Sequence, residues 1–180
     1  MKRPEGGQEM KPFATLFVLA ALLLSVACSH RDNVAYKDDV KRALEQAELK
    51  DVTVTEDKDK NTITLAGTVH SDEAKAKAAD VAKGAANTRI IANEISVQPV
   101  GSESEAKDVA SNLDEAIEKN YKAALISSGL DKQHIRFKAK NGVLSLTGSV
   151  KNANERRQAD KLASRIPNVQ QVLNQIEVRR

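Results

Sequence analysis

Four basic side chains alternate with apolar residues in the second half of the chain. They are His134, Arg136, Lys138 and Lys140, each separated from the next by one apolar residue. Successive side chains of a β-strand point to opposite faces, so these four would share one face of a sheet. Such a face would attract an anionic partner, phospholipid headgroups first, because each Lys or Arg near an anionic membrane contributes about 1 kcal/mol. An equally good interpretation is a solvated sheet face whose charge keeps the protein soluble.

A second basic group follows at helical spacing, formed by Arg156, Arg157, Lys161 and Arg165. Positive charge is concentrated in this half of the chain. Residues 36–98 carry 10 Lys and Arg against 12 Asp and Glu, a net charge of −2, whereas residues 106–180 carry 14 against 8, a net charge of +6. The residues predicted to contact an anionic ligand are Arg136, Lys138, Lys140, Arg156, Arg157 and Lys161.

The other reactive side chains form no recognisable catalytic or metal-binding pattern. The three histidines, His30, His70 and His134, lie far apart in sequence. Acidic pairs such as 72–73 stand at predicted helix starts, where they interact favourably with the helix dipole. We therefore predict no catalytic residue, no metal, no cofactor and no enzymatic activity.

The first 27 residues have the pattern of a signal peptide. Lys2, Arg3 and Lys11 precede an apolar run over residues 13–24. That run is shorter than the roughly 20 residues of a membrane-spanning helix and has the length of a signal-peptide core. Small residues then lead to Cys28, the one cysteine of the chain.

Residues 24–28, Leu-Ser-Val-Ala-Cys, resemble the lipobox of bacterial lipoproteins. In that family the cysteine thiol is acylated, palmitate being a typical chain, so Cys28 is the predicted site of lipid attachment and membrane anchoring. No thiolate would then remain for other chemistry. Ser29 differs from the Asp that retains some lipoproteins in the inner membrane, which points to the outer membrane, facing the periplasm. Ser25 and Ala27 also suit ordinary signal peptidase, which would release a soluble periplasmic protein.

The exported sequence matches itself at a spacing of 81 residues, with no gap from about Tyr36 to Val97. Matching pairs include Leu44 with Leu125, Leu65 with Leu146, Gly67 with Gly148, Asn93 with Asn174 and Val97 with Val178. In this register the basic residues His134, Arg136, Lys138 and Lys140 align with Thr53, Thr55, Asp57 and Asp59. The chain is therefore predicted to contain two copies of one small domain.

Each copy has the element order αββαβ. In the second copy, a turn at Ser128–Gly129 ends the first helix, and the strand with the alternating basic residues follows. Asn141–Gly142 predicts a tight hairpin because both residue types tolerate positive φ. Gly148 predicts a bend or a close backbone approach, Asn152 caps the second helix, and residues 169–178 form the last strand.

The first copy follows the same pattern, with a helix capped by Ser71 and a last strand over residues 91–97. Its hairpin turn at 59–61 lacks glycine. The predicted organisation is a signal peptide over 1–27, a first domain over 34–98, a linker over 99–105 and a second domain over 106–180.

Several short motifs of both copies resemble those of the BON domain. They are Leu65-x-Gly67-x-Val69, Asn93-x-Ile95-x-Val97, Leu146-x-Gly148-x-Val150, Pro167-Asn168-Val169 and Asn174-x-Ile176-x-Val178. Ala86-Asn87-Thr88 departs from the family's Pro-Gly-Val-like turn. The resemblance implies an α+β fold of two tandem αββαβ domains, each a three-stranded mixed sheet with two helices packed on one face. It also implies a cell-envelope setting and a role in binding phospholipid or other envelope components.

Two functions remain open at this point. One is a membrane-anchored, non-catalytic binding protein that recognises anionic phospholipid and supports envelope integrity. The other is a structural or interaction module that docks onto an envelope protein complex. Nucleic acid is not expected as a partner, because the chain is predicted to be exported and its 3% aromatic content offers few side chains for stacking on bases.

Overall fold

The computed structural model describes residues 36–179, and both copies lie in one compact unit of it. The predicted signal peptide, Cys28 and His30 lie outside the described residues. Copy one contains α1 (Tyr36–Gln46), β1 (Val52–Asp57), β2 (Thr62–Val69), α2 (Asp72–Ala85), β3 (Ile90–Asn93) and β4 (Ser96–Val97). Copy two contains α3 (Glu103–Ser127), β5 (His134–Lys140), β6 (Val143–Val150), α4 (Ala153–Ala163), β7 (Gln171–Asn174) and β8 (Glu177–Val178). The predicted α+β fold with tandem αββαβ units is confirmed.

Each sheet is mixed. In copy one β1 pairs antiparallel to β2, and β3 and β4 pair parallel to β2 on its other side. The predicted last strand is therefore split, but both pieces keep one register, since Leu65 pairs with Asn93 and Thr68 with Ser96. The break lies beside Gly67, whose φ of +114° bends β2. Copy two is built in the same way from β5 to β8.

Helices pack against one face of each sheet and enclose an aliphatic core. In copy one the core includes Val40, Leu44, Ile63, Leu65, Ala78, Ala82 and Ile95, all at most 1% exposed. Copy two adds an aromatic pair to the same arrangement. The rings of Tyr121 and Phe137 meet edge to face at 5.1 Å, and the Tyr121 hydroxyl donates to the carbonyl of Ala159 at 3.2 Å. A buried pair of this kind contributes about 1 kcal/mol beyond the area it removes from water.

The local signals in the sequence match the observed element ends. Ser71 Oγ accepts from the Ala74 amide at 3.2 Å, and Asn152 Oδ1 accepts from the Glu155 amide at 2.9 Å, so both predicted N-caps are confirmed. Asn141 and Gly142 both have positive φ and close the β5–β6 hairpin. None of the helices within residues 36–179 combines the length and the apolar composition of a membrane-spanning segment.

Gly148 and Gly67 are required where the first strand of each sheet begins. A Cβ on Gly148, at φ +100°, would lie 1.9 Å from the carbonyl oxygen of His134. A Cβ on Gly67 would lie 2.2 Å from the carbonyl oxygen of Asp51. The predicted close approach is thus confirmed, since no side chain fits either position.

The same contacts show that the ungapped 81-residue register is wrong in the first strand. Gly148 pairs with Ile135, whereas Gly67 pairs with Val52, a spacing of 83 residues on that strand. Copy two has two additional residues before the strand, and copy one has two additional residues in its hairpin loop over 58–61. The counterparts of Arg136, Lys138 and Lys140 are therefore Thr53, Thr55 and Asp57.

The two copies meet through the faces of their sheets that lie away from the helices. Ala92 of copy one packs with Val143 and Leu173 of copy two in a small buried cluster. The side-chain amide of Gln171 bonds to β3 twice: its Oε1 accepts from the Asn93 N–H at 3.2 Å, and its Nε2 donates to the Ile91 carbonyl at 2.6 Å. This side chain thereby satisfies part of the backbone of β3, which is an edge strand.

The segment between the copies is short. Helix α3 begins at Glu103, so the last three residues of the predicted linker are helical. The helix continues for 25 residues and contacts both β4 of copy one and β5 of copy two. It therefore contributes to the contact between the copies as well as to the core of copy two.

Candidate ligand-binding surface

The four basic residues of β5 lie on one face of the strand, as the alternation predicts. His134, Arg136, Lys138 and Lys140 are exposed, while the intervening residues are partly or fully buried against the helices. Their side chains therefore lie on the outer face of the second sheet, opposite α3 and α4.

Two of these cations are engaged by carboxylates. Lys138 Nζ lies 3.0 Å from Glu118 Oε1 on α3, and Lys140 Nζ lies 3.0 Å from Glu94 Oε2 of copy one. Burial acts to raise the pKa of Glu118, but the Ala139 N–H and the Lys138 ammonium outweigh it and hold that pKa below its ordinary value. Half of the basic strand is thus locally neutralised.

Arg136 is available to a ligand. Its side chain is exposed and has no ion pair within residues 36–179. The residue directly opposite Arg136 on β6 is Thr147, and Ser145 and Ser149 flank it on the same face. All three hydroxyl residues are partly exposed. The guanidinium therefore stands beside a row of hydroxyl groups that can donate or accept hydrogen bonds.

Arg179 extends this face from the opposite side and was not among the predicted site residues. Its Nε donates to Ser149 Oγ at 2.9 Å, and its backbone N–H donates to the Val150 carbonyl at 2.9 Å. Glu177 pairs with Ser149 and also points to this face. The alternation of Glu177 and Arg179 in the last strand is the sequence signal that could have identified Arg179.

We call these residues the open sheet face. Its members are His134, Arg136, Lys138, Ser145, Thr147, Ser149, Glu177 and Arg179. The other end of the same sheet, at Val143 and Leu173, is covered by copy one. The contact between the copies therefore leaves one end of the outer face accessible and closes the other.

The second predicted basic group lies elsewhere. Arg156, Arg157 and Lys161 are exposed on α4, which packs against the inner face of the sheet through Ala159 and Ala163. Arg156 donates to the Asn174 carbonyl at 3.4 Å and Arg157 contacts Asn154. The structure consequently does not bring the six predicted residues together, since the two groups occupy opposite sides of copy two.

A cleft of about 630 Å³ lies where α3 meets copy one and the end of β5. Its charges are mixed, with Glu94 and Asp114 facing Lys107 and Lys140. Asp114 accepts from the Asn141 and Gly142 amides at 2.7 and 3.0 Å. The carboxylates of the cleft thus hold the hairpin and the junction between the copies.

A second cluster of polar contacts strengthens that junction. Lys75 Nζ donates to the Asn141 carbonyl at 3.0 Å and lies 3.3 Å from Gln170 Oε1. Burial lowers the pKa of Lys75, while the carboxylates of Asp72 and Asp114 oppose that shift. Within residues 36–179, no three His, Cys, Asp or Glu side chains are grouped so as to hold a metal ion.

The chain resembles known proteins at the level of its domains. A model of the BON domain matches residues 32–99 and 113–180. Two solved structures of CdsD, a structural protein of the type III secretion system of Chlamydia trachomatis, share 17% and 14% identity with TM-scores of 0.32 and 0.34. The first match covers 80% of this chain and 61% of the CdsD chain. The second match, to the C-terminal domain of CdsD, covers 82% of this chain and 99% of that domain. No curated protein matches the chain. Because the two BON matches cover most of the residues, the chain belongs to the BON domain family and carries the domain twice.

Proposed function

We propose that the chain is an exported lipoprotein whose second BON domain recognises anionic phospholipid. In this proposal residues 1–27 are a signal peptide, Cys28 carries the lipid anchor, and residues 34–98 and 106–180 are the two domains of the envelope protein. The anchor would place the protein at the outer membrane, facing the periplasm.

The open sheet face is the observation that carries the proposal. Copy two exposes Arg136 and Arg179 there, beside hydroxyl groups, whereas the corresponding positions of copy one hold Thr53 and Gln98. Guanidinium groups bind phosphate oxygens in bidentate geometry, which suits them to lipid headgroups. The net charges of −2 for residues 36–98 and +6 for residues 106–180 agree with this division of roles.

Binding to vesicles tests the proposal. The full chain with Cys28→Ala is incubated with vesicles of phosphatidylglycerol and phosphatidylcholine, and in parallel with phosphatidylcholine alone. The substitution prevents acylation, so a covalent lipid cannot contribute to sedimentation with the vesicles. We expect binding to the anionic vesicles that weakens as salt is added, because exposed charges are screened beyond about 10 Å at 0.1 M salt.

Equal binding to both kinds of vesicle would contradict the recognition of anionic phospholipid. If that result is accompanied by crosslinking of the full chain to one envelope protein, the interaction module is the better description. Intact-mass measurement of protein extracted from membranes, with Cys28→Ala as the control, tests the signal peptide and the anchor separately.

A further inference from the structure

We propose that Arg136, Arg179 and the hydroxyl row of β6 form a binding site for one phosphate group on the open sheet face. The inference rests on the proposed function, because it specifies which part of copy two contacts the headgroup. It assigns a role to Arg179, and it excludes Lys140 and the α4 cations from that role.

The first argument is the availability of donors. Arg179 uses Nε to bond Ser149 Oγ, which fixes the guanidinium over the sheet and leaves its two terminal nitrogens for a ligand. Because Ser149 Oγ accepts that bond, its own proton remains free to be donated. Within the described part of the chain, the hydroxyls of Ser145 and Thr147 have no hydrogen-bond partner. Several donors without internal partners therefore surround one position.

The second argument is geometry. Thr147 is paired directly with Arg136 across β5 and β6, so their Cβ atoms lie about 5 Å apart. Ser149 follows Thr147 two residues later and points to the same face. Arg136 and Arg179 thus approach the hydroxyl row from its two sides. A tetrahedral anion with oxygens in several directions suits this arrangement.

The third argument is the state of the neighbouring charges. Lys138 and Lys140 are paired with Glu118 and Glu94. Glu177 is the one carboxylate residue on the open sheet face, as far as residues 36–179 are concerned. An anion would therefore meet two guanidinium groups, with Glu177 opposing them. This predicts that neutralising Glu177 strengthens binding.

Neutral substitutions of the two arginines provide the main test, in the full chain with Cys28→Ala. We expect Arg136→Gln with Arg179→Gln to weaken binding to the phosphatidylglycerol vesicles about thirtyfold, from the loss of two cations near the membrane surface. Glu177→Gln is expected to tighten binding a few-fold by the same reasoning. The matched control is Arg156→Gln with Arg157→Gln, which removes the same charge from α4 and is expected to leave binding nearly unchanged.

The outcomes separate this site from the proposed function. If the α4 variant loses vesicle binding and the sheet variant keeps it, phospholipid recognition stands and the site on the open sheet face is wrong. If the chain with Cys28→Ala alone binds no anionic vesicle, the proposed function fails. Titration of that chain with glycerol phosphate and with inorganic phosphate then tests the site. The titration is followed by NMR. Changes in the backbone amide chemical shifts of Ser145, Thr147 and Ser149 that are absent in the double arginine variant would support a site for a soluble phosphate. Their absence with both probes would overturn it.

Discussion

Copy one carries its distinctive charges inside the domain, whereas copy two carries them on its surface. In copy one Arg89 Nη2 lies 3.2 Å from Glu56 Oε1, and the side chains of Glu56 and Arg89 are only 5% and 13% exposed. Arg89 also donates to Asn61 at 2.6 Å and stacks on the Tyr36 ring at 5.2 Å. This cluster ties together α1, the β1–β2 hairpin and the loop before β3.

Copy two has uncharged residues at these positions. Ala139 and Gln170 replace Glu56 and Arg89, and the interior is filled by Tyr121 and Phe137 in place of two valines of copy one. Its cations on β5 and on α4 are exposed at the surface. Net charge therefore understates the difference between the copies. The charges of this cluster in copy one stabilise its own fold, while Arg136 of copy two has no ion pair within residues 36–179 and remains available to a partner.

The largest expected effect concerns what the copies share. Gly148→Ala and Gly67→Ala each place a Cβ within 2.2 Å of a backbone oxygen, at a φ that side chains rarely adopt. We expect each substitution to lower the free energy of unfolding by about 4 kcal/mol or more, measured by urea denaturation. Gly84→Ala is the control, because a Cβ on this helical glycine has open space around it and the change should stabilise by about 1 kcal/mol. A wild-type midpoint for Gly148→Ala would contradict the pairing of β5 with β6.

The glycines also show what the sequence could establish. Positive φ, N-caps and the hairpin all depend on residues close together in the chain, so local patterns were sufficient to predict the αββαβ order. The alternation pattern does not reveal the two-residue shift between β1 and β5, because a shift of two residues keeps every side chain on its original face of the strand. The orientation of Arg136 was predicted from the alternation along β5 itself, so the error in the alignment did not affect it.

Long-range contacts account for the remaining differences. Lys140 is neutralised by Glu94, which lies 46 residues earlier and in the other copy. Arg179 reaches Ser149 only because β8 pairs parallel to β6. The contact of Lys140 leaves no periodic signal, and the alternation of Glu177 and Arg179 indicates their shared face but not the strand with which β8 pairs. The predicted basic strand therefore contained the correct face and its free cation Arg136, but it did not show that Lys138 and Lys140 are paired or that Arg179 joins them.

An intermediate effect is expected from the internal ion pair of copy one. Glu56→Gln leaves the Arg89 guanidinium in a mostly buried position without its carboxylate, which should cost about 3 kcal/mol of unfolding free energy. Glu118→Gln is the matched control, because Lys138 is 78% exposed and an exposed pair contributes at most about 1 kcal/mol.

A double substitution makes the comparison sharper. Glu56→Ala with Arg89→Gln gives copy one the residues of copy two and removes both charges of the ion pair. We expect the double variant to be more stable than Glu56→Gln alone, since removing both partners avoids an unpaired ion. If both variants lose the same free energy, the contribution of Glu56 comes from packing and the contrast between the two interiors is weaker than proposed.

The smallest expected effect concerns the hydroxyl of Tyr121 in copy two. Tyr121→Phe keeps the edge-to-face contact with Phe137 and removes the bond to the Ala159 carbonyl, which should cost about 1 kcal/mol at neutral pH. Burial, with a further contribution from Asp160, raises the pKa of the Tyr121 phenol above its ordinary value of 10.0. The folded state therefore keeps the proton that the unfolded state loses, so stability should fall as the pH rises above about 10.

Replacement by Phe should flatten this alkaline decline, measured by urea unfolding at several pH values. The control is Tyr36→Phe in copy one, where the hydroxyl accepts from exposed Asn87 at 3.2 Å and its loss should change stability little. Equal losses at both positions would contradict the difference in burial between these two hydroxyls. A decline above pH 10 that persists unchanged in Tyr121→Phe would assign the alkaline sensitivity to groups other than Tyr121.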